Sequence, residues 1–210
     1  MNELRTDDEQ VEAIKKWWQE NGKAVLGGAA LGLALVLGWQ GWASYTKGQA
    51  ERASAYYTQF LNSARADAES APQQGERLLE EYPDSVYATF AALELGRLAY
   101  AKAETATARA HLQWAIDHAA DETLAQLARL RLARLLLEEG DLDALRPLLA
   151  APVDPAIAGE FAALRGDLAL QEGDREAARR LYGEALEKGV ADQNLLRMKL
   201  AETGGTADAS

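Results

Sequence analysis

The chain of 210 residues contains no cysteine. Disulfides, thiolate metal sites and cysteine nucleophiles are therefore excluded, while the compartment stays open because such a chain tolerates oxidising and reducing surroundings alike. Histidine is scarce: only His111 and His118 occur, seven residues apart on one expected helix. That spacing puts them about 10.5 Å apart along the axis, too far to share one metal without other elements. Asp117 and Asp121 lie nearby, but no glycine-rich elbow, nucleophile motif or phosphate loop accompanies them. The chain is expected not to be an enzyme and to need no cofactor or metal. Basic charge is also short, with 22 Lys and Arg against 33 Asp and Glu, a net charge of −11. Residues 1–47 hold five basic against six acidic residues, leaving 17 against 27 for residues 48–210. So acidic a domain repels phosphate backbones, and no dense basic patch offsets this, so nucleic acid is not an expected partner. Runs of alternating β-branched residues, the mark of a sheet, are missing too.

Charge is absent altogether from the 23 residues between Lys23 and Lys47, which include AVLGGAALGLALVLGWQGW. At ~1.5 Å of helical rise per residue, some 20 residues cross a hydrocarbon core of roughly 30 Å. Trp39, Trp42 and Tyr45 crowd one end of the stretch and Trp17 with Trp18 precede the other, where amphipathic rings settle at headgroup level. A cleaved signal peptide would want a short basic leader and an apolar run of roughly 7–15 residues. Gly41-Trp42-Ala43 would serve as a cleavage site, but the apolar run is too long and six acids precede it. The stretch reads as a permanent anchor. Lys15, Lys16 and Lys23 flank it on one side and Lys47 with Arg52 on the other, which favours a cytoplasmic N-terminus and a large domain outside. Gly28 and Gly32 form a GxxxG pair. Either close approach of another membrane helix or the ordinary abundance of glycine in membrane helices accounts for them. No inward-facing polar group marks a transport pathway.

Ahead of the span, DDEQVEAIKKWWQENGK places Val11, Ile14, Trp17 and Trp18 on one helical face and Glu12 with Lys16 on another. This pattern predicts a helix lying along the cytoplasmic interface and ending near Asn21-Gly22.

From Gly48 onward the pattern is almost continuously helical, rich in Ala, Leu, Glu and Arg, with stops expected at Pro72, Pro83, Gly140, Pro152, Pro155, Gly173 and Gly189. The fold class expected is all-α, with an N-terminal transmembrane helix followed by a helical solenoid. Segments of this length invite a search for repeats. Gly96 is followed 12 residues later by Ala108, then by Leu112 and Ala115; Gly166 is followed at the same distances by Ala178, Tyr182 and Ala185. Glu139-Gly140-Asp141 recurs 33 residues on as Glu172-Gly173-Asp174. At Tyr82-Pro83-Asp84-Ser85-Val86-Tyr87-Ala88, proline stops one helix and Asp84 or Ser85 is placed to accept the free N–H groups of the next.

These residues resemble the tetratricopeptide repeat, a helix-turn-helix in which small residues sit where two helices cross closely. Gly96 and Gly166 match the small position of the first helix, and Ala108 with Ala115, and Ala178 with Ala185, match those of the second. The copies are degenerate. Ala92 and Ala162 stand where a large aromatic is expected, the middle copy has Ala133 for the glycine and Leu145 for the alanine, and residues 48–83 match only through Leu78, Leu79 and Pro83. In LARLRLARLLLEEG, the leucines Leu127, Leu132, Leu135 and Leu136 enter a core. Arg129, Arg131 and Arg134 stay peripheral, either as a merely solvated face or as a basic strip in a groove that receives acidic peptide groups. The same choice holds for Arg175, Arg179 and Arg180. A degenerate solenoid keeps a groove that can hold a segment of another protein.

The order of parts divides the chain into a leader (1–23), a transmembrane helix (24–46), a repeat domain (47–203) and a disordered tail (204–210). Together the leader, the WWQENGK stretch, the glycine-rich span closed by GWQGW and the acidic repeats resemble the YfgM family of ancillary subunits of the bacterial SecYEG translocon. The most specific part is EAIKKWWQENGKAVLGGAALGLALVLGWQGW, residues 12–42. The resemblance implies a single-span inner-membrane protein with a periplasmic repeat domain, partnered by SecYEG and by the membrane-anchored periplasmic chaperone PpiD, that helps pass exported polypeptides to periplasmic chaperones. It also implies contact of the leader with a regulator of the Rcs system in some members, and it implies no catalytic residue.

Overall fold

A computed structural model describes residues 3–204, with side chains from residue 10 onward. Every regular element in that range is helical. The chain divides into two compact units, one up to Glu51 and one from Arg52.

The first unit is carried by a single helix, α1 (Glu3–Arg65), whose last turns, from Arg52 on, belong to the second unit. α1 is long and apolar enough to cross a membrane. Its hydrocarbon side chains Leu26, Leu31, Leu35 and Val36 are all exposed. A helix satisfies its backbone polar groups within itself, which is what a hydrocarbon surrounding demands. The helix end expected at Asn21-Gly22 does not occur. Asn and Gly cost roughly 0.7 and 1 kcal/mol relative to Ala in a helix interior, a local penalty that an intact hydrogen-bond ladder on both sides outweighs. Asn21 spends its side-chain amide on the carbonyl of Trp17 one turn back (3.1 Å). The Trp18 ring covers Gly22 so closely that a Cβ there would lie 3.3 Å from its Cε2. α1 runs without a break through the whole uncharged stretch.

The second unit stacks helices in chain order: the end of α1, α2 (Ala71–Glu81), α3 (Val86–Ala101), α4 (Thr105–Asp117), α5 (Glu122–Glu139), α6 (Leu142–Ala150), α7 (Ala158–Gln171), α8 (Arg175–Lys188) and α9 (Gln193–Glu202). Each from α2 to α9 packs on the next, and α5 also packs on α7, which places the first helices of successive pairs side by side. One apolar core runs from Ala53, Phe60 and Leu78 through Leu95, Leu112, Leu135 and Leu145 to Phe161. A second joins α7, α8 and α9 around Ala162, Tyr182, Leu196 and Leu200. Residues 52–81 thus contribute two helical segments to the first core, although the sequence shows only two leucines and a proline there. Phe60 is fully buried, with Tyr57 bridging its ring to Tyr87 and Phe90 of α3.

Side-chain caps set most helix starts, because the first N–H groups of a helix need an acceptor. Ser85 accepts from Tyr87, and Asp121, Asp141, Asp174 and Asp192 each accept from the backbone N–H three residues on. Pro72 does not stop a helix as expected. It lies in the first turn of α2, where the absent N–H costs nothing and the fixed φ suits the helix. Pro83 follows the end of α2, and Pro152 with Pro155 occupies the connection from α6 to α7, which contains a 3-10 turn, Pro155–Ile157. Pro147 sits inside the short α6. Of the expected tail, all but Gly204 lies outside the described residues.

Glu139-Gly140-Asp141 and Glu172-Gly173-Asp174 are the turns that join the two helices of a pair. In each the glycine adopts the left-handed conformation (φ +74° and +86°) and the aspartate caps the next helix. The aspartate N–H returns to the carbonyl five residues earlier, Leu136 or Ala169, at 2.9 Å, closing a Schellman turn that needs φ above zero at its glycine. The glutamate faces the preceding repeat. Glu139 and Asp141 accept from Arg109 of α4 (2.5 and 2.9 Å), and Glu172 accepts from Arg146 of α6 (2.8 Å). Exposed ion pairs of this kind contribute about 0–1 kcal/mol, so they fix how neighbouring pairs dock more than they stabilise them. The α3–α4 turn repeats the geometry with other residues. Glu104 N–H bonds the Ala99 carbonyl at 2.9 Å, but the left-handed position is filled by Ala103 (φ +60°) and Glu104 makes no side-chain cap.

Candidate functional site

The small positions of the repeats lie where helices touch. A Cβ on Gly96 would stand 3.1 Å from Leu112 Cγ, and one on Gly166 would stand 2.5 Å from Tyr182 Cδ1. Ala108, Ala115, Ala178, Tyr182 and Ala185 are all fully buried. Tyr182 donates its hydroxyl to Asp167 (2.8 Å), which also receives Lys199 of α9 (2.7 and 2.9 Å). Burial, reinforced by the bond to Asp167, raises the Tyr182 pKa far above its ordinary value, so the phenol stays neutral. Two further close approaches leave no pattern in the sequence. A Cβ on Gly75 would meet Leu95 Cδ2 at 2.8 Å, and one on Gly159 would fall 1.9 Å from the carbonyl oxygen of Gly189. Both are contacts across helices, which no periodicity within one helix reveals.

These packings place α3, α5, α7 and α9 around two clefts. One, about 430 Å³, lies between α3 and α5; its floor is Leu93, Gly96, Leu112 and Leu135, and its rim is Glu94, Arg97, Tyr100, Arg131, Arg134 and Glu138. The other, about 350 Å³, lies between α7 and α9 and includes Leu164, Asp167, Leu195, Leu196 and Lys199. Arg134 lines both.

The three arginines of α5 do not form a single strip. Positions 129 and 131 are two apart and point to different sides of a helix with ~3.6 residues per turn, whereas 131 and 134 are three apart and share a face. Arg129 turns away from the α3–α5 cleft. Its Cζ lies 4.7 Å from the centre of the Phe161 ring, and its Nη2 donates to the Pro152 carbonyl (2.7 Å). Burial there lowers its pKa, and among the described residues its Nε has no partner. Gln126 helps hold the same connection by accepting from the Asp154 N–H (2.8 Å). Arg134 pairs with Glu160 (2.6 Å), whose other oxygen accepts from the Ala191 N–H (2.8 Å). Among the described residues Arg131 reaches only the Leu93 carbonyl, at 3.5 Å. Arg179 and Arg180 line a shallow depression along α8 together with Glu184 and Glu187, a mixed and solvated face.

On α1, a Cβ on Gly28 or Gly32 would meet nothing within 4 Å. Trp17, Trp18, Trp39 and Trp42 are all more than half accessible except Trp18, at 50%, which leans on Gly22. His118 stacks on Trp114 with ring centres 4.3 Å apart, and His111 is half-buried, with burial lowering its pKa. No group of three or more metal-ligating side chains gathers among the described residues.

A family model described as a tetratricopeptide repeat-like domain matches residues 15–205. A protein of Escherichia coli (strain K12) named "Ancillary SecYEG translocon subunit" is 31% identical over 202 residues, covering 95% of this chain and 98% of its own length. Proteins of the same name from Neisseria gonorrhoeae (30% over 203 residues; 92% of this chain, 95% of the relative) and Haemophilus influenzae (29% over 195 residues; 92% and 96%) are similar along equally long stretches. No solved structure matches. With the family model and these relatives matching almost from end to end, the chain belongs to the tetratricopeptide repeat-like family of ancillary SecYEG translocon subunits.

Proposed function

We propose that the chain is a membrane-anchored, non-catalytic subunit working beside the SecYEG translocon, and that its groove helps pass exported polypeptides to periplasmic chaperones. The observation that carries this reading is the full-length likeness to relatives of that name, which takes in α1 as well as the repeats. α1 serves as an inner-membrane anchor, with the leader in the cytoplasm and the repeat domain in the periplasm; the three lysines before the span against two basic residues after it support that orientation. Trp17 and Trp18, and Trp39 and Trp42, mark the two interfaces of the span. Gly28 and Gly32, by their GxxxG spacing, are the positions at which another membrane helix approaches α1. PpiD is the partner expected on the periplasmic side and a regulator of the Rcs system the one expected for the leader. A groove of leucine floor and charged rim suits transient capture of polypeptide, a task that requires no nucleophile, metal or cofactor.

Purification of the full chain from bacterial membranes in mild detergent, with partners identified by mass spectrometry, tests the reading. SecYEG is the expected companion, and its recovery should fall when Gly28 and Gly32 are both replaced by Leu. Recovery of a different envelope assembly and no SecYEG would overturn it and make the protein an assembly factor for that machine.

A further inference from the structure

The rim of the α3–α5 cleft holds three arginines and two glutamates, within a domain whose charge is strongly negative. Their engagement is unequal. Arg97 is held by both oxygens of Glu94 (2.6 and 2.9 Å), and Arg134 is held by Glu160. Glu138 accepts the hydroxyl of Tyr100 at 2.7 Å. Arg131 alone among these cations has no carboxylate within 4.0 Å among the described residues, and it is exposed. A guanidinium offers a planar fork of five donors, and the single carbonyl contact of Arg131 leaves most of that fork open toward the cleft. Beside it stands Tyr100, 46% accessible, over the floor of Leu93, Leu112 and Leu135.

We propose that the cleft between α3 and α5 seats an acidic segment of another protein, with one carboxylate on Arg131 and the neighbouring apolar side chain over Tyr100 and the leucine floor. The assignment rests on reading the domain as a protein-binding subunit, and it names the chemistry of the bound segment. Local charge complementarity carries it. Arg134, one turn from Arg131, is already paired with Glu160, which leaves Arg131 as the open cation of the rim. Glu138, seven residues further along α5, is not within 4.0 Å of Arg131 and is engaged by the Tyr100 hydroxyl at 2.7 Å. Glu94, the other carboxylate of the rim, is taken up by Arg97, so the groups nearest Arg131 leave room for a carboxylate, while salt attenuates the more distant acidic residues. The acidity of the domain does oppose the docking of a second copy of this chain, whose whole domain carries the same sign.

The test uses the full chain in detergent micelles and a short fluorescent peptide carrying Phe and Leu beside two aspartates, with a matched peptide carrying asparagines instead. Binding is read by fluorescence anisotropy. The acidic peptide should bind, and both Arg131→Gln and the asparagine peptide should weaken binding about tenfold, the effect of losing one charge-assisted contact. Arg179→Gln, which removes the same charge from the face of α8, should leave binding within about twofold. Equal binding of the two peptides, or equal effects of the two substitutions, overturns the proposal. So does self-association of the chain that Arg131→Gln abolishes, since that would give the cleft to a second copy. Because no translocon is present in this assay, its failure is distinct from a failure to recover SecYEG from membranes.

Discussion

Ala103 occupies the left-handed position of a turn whose two counterparts use glycine, and Ala103→Gly is expected to stabilise the repeat domain. A non-glycine residue in that conformation costs about 1–2 kcal/mol. Glycine gives back about 0.4–1 kcal/mol through the greater freedom of the unfolded chain. The net gain is roughly 0.5–1 kcal/mol, because Ala103 is exposed and its methyl group leaves no cavity. Adding Glu104→Asp supplies the side-chain cap that Asp141 and Asp174 provide in the other turns, for about 1 kcal/mol more. In a chain of this size each kcal/mol moves the melting temperature by about 2–4 °C. The double variant should therefore melt about 3–8 °C above the parent by far-ultraviolet circular dichroism in detergent. The reverse change, Gly140→Ala, should lower it by a few degrees, since φ +74° is imposed there by the same hydrogen bonds. An unchanged or lower melting temperature for Ala103→Gly, together with a neutral Gly140→Ala, would refute the equivalence of the turns.

Three further outcomes follow from the packing and the charges. Gly166→Ala drives a methyl group to 2.5 Å from the buried Tyr182 ring, whose hydroxyl is fixed on Asp167, and should cost about 1–3 kcal/mol in urea unfolding. For His111, burial lowers the folded-state pKa, with Glu76 opposing, while the unfolded side chain takes a proton near pH 6.5. Its contribution to stability is thus present above pH 6.5 and lost as the pH falls toward the folded value, so His111→Gln should flatten the decline in stability between about pH 7 and 5. Protease added to the outer face of the inner membrane should digest the repeat domain, and protection of that domain would reverse the orientation of α1.

Much of this architecture could be read from residue order because it depends on periodicity. An uncharged stretch between Lys23 and Lys47 shows up as a span, and glycine and alanine at matched intervals in residues 96–115 and 166–185 show up as paired helices. What stayed hidden depends on distances between helices or on competition along one helix. Gly75 and Gly159 look like ordinary glycines until Leu95 and the Gly189 carbonyl are seen against them. Asn21-Gly22 carries a strong stop signal, yet a helix reinforced on both sides runs through it. Ala103 hides a turn because alanine does not announce the left-handed conformation that its hydrogen bonds enforce. The arginines of α5 illustrate the same limit: sequence groups three, and the helix surface sorts them into a strap for the α6–α7 connection, an ion pair to Glu160 and one open guanidinium.

The central claim, that an anchored groove works on polypeptides beside the Sec translocon, is tested most directly by photocrosslinking in native membranes. A photoreactive amino acid placed at Tyr100 in the groove, and another placed at Arg179 on α8, would be activated while proteins are being exported. Exported chains or SecYEG-associated chaperones should be captured from position 100 and not from position 179. Capture of neither from position 100, with the protein present and folded in the membrane, would contradict the account.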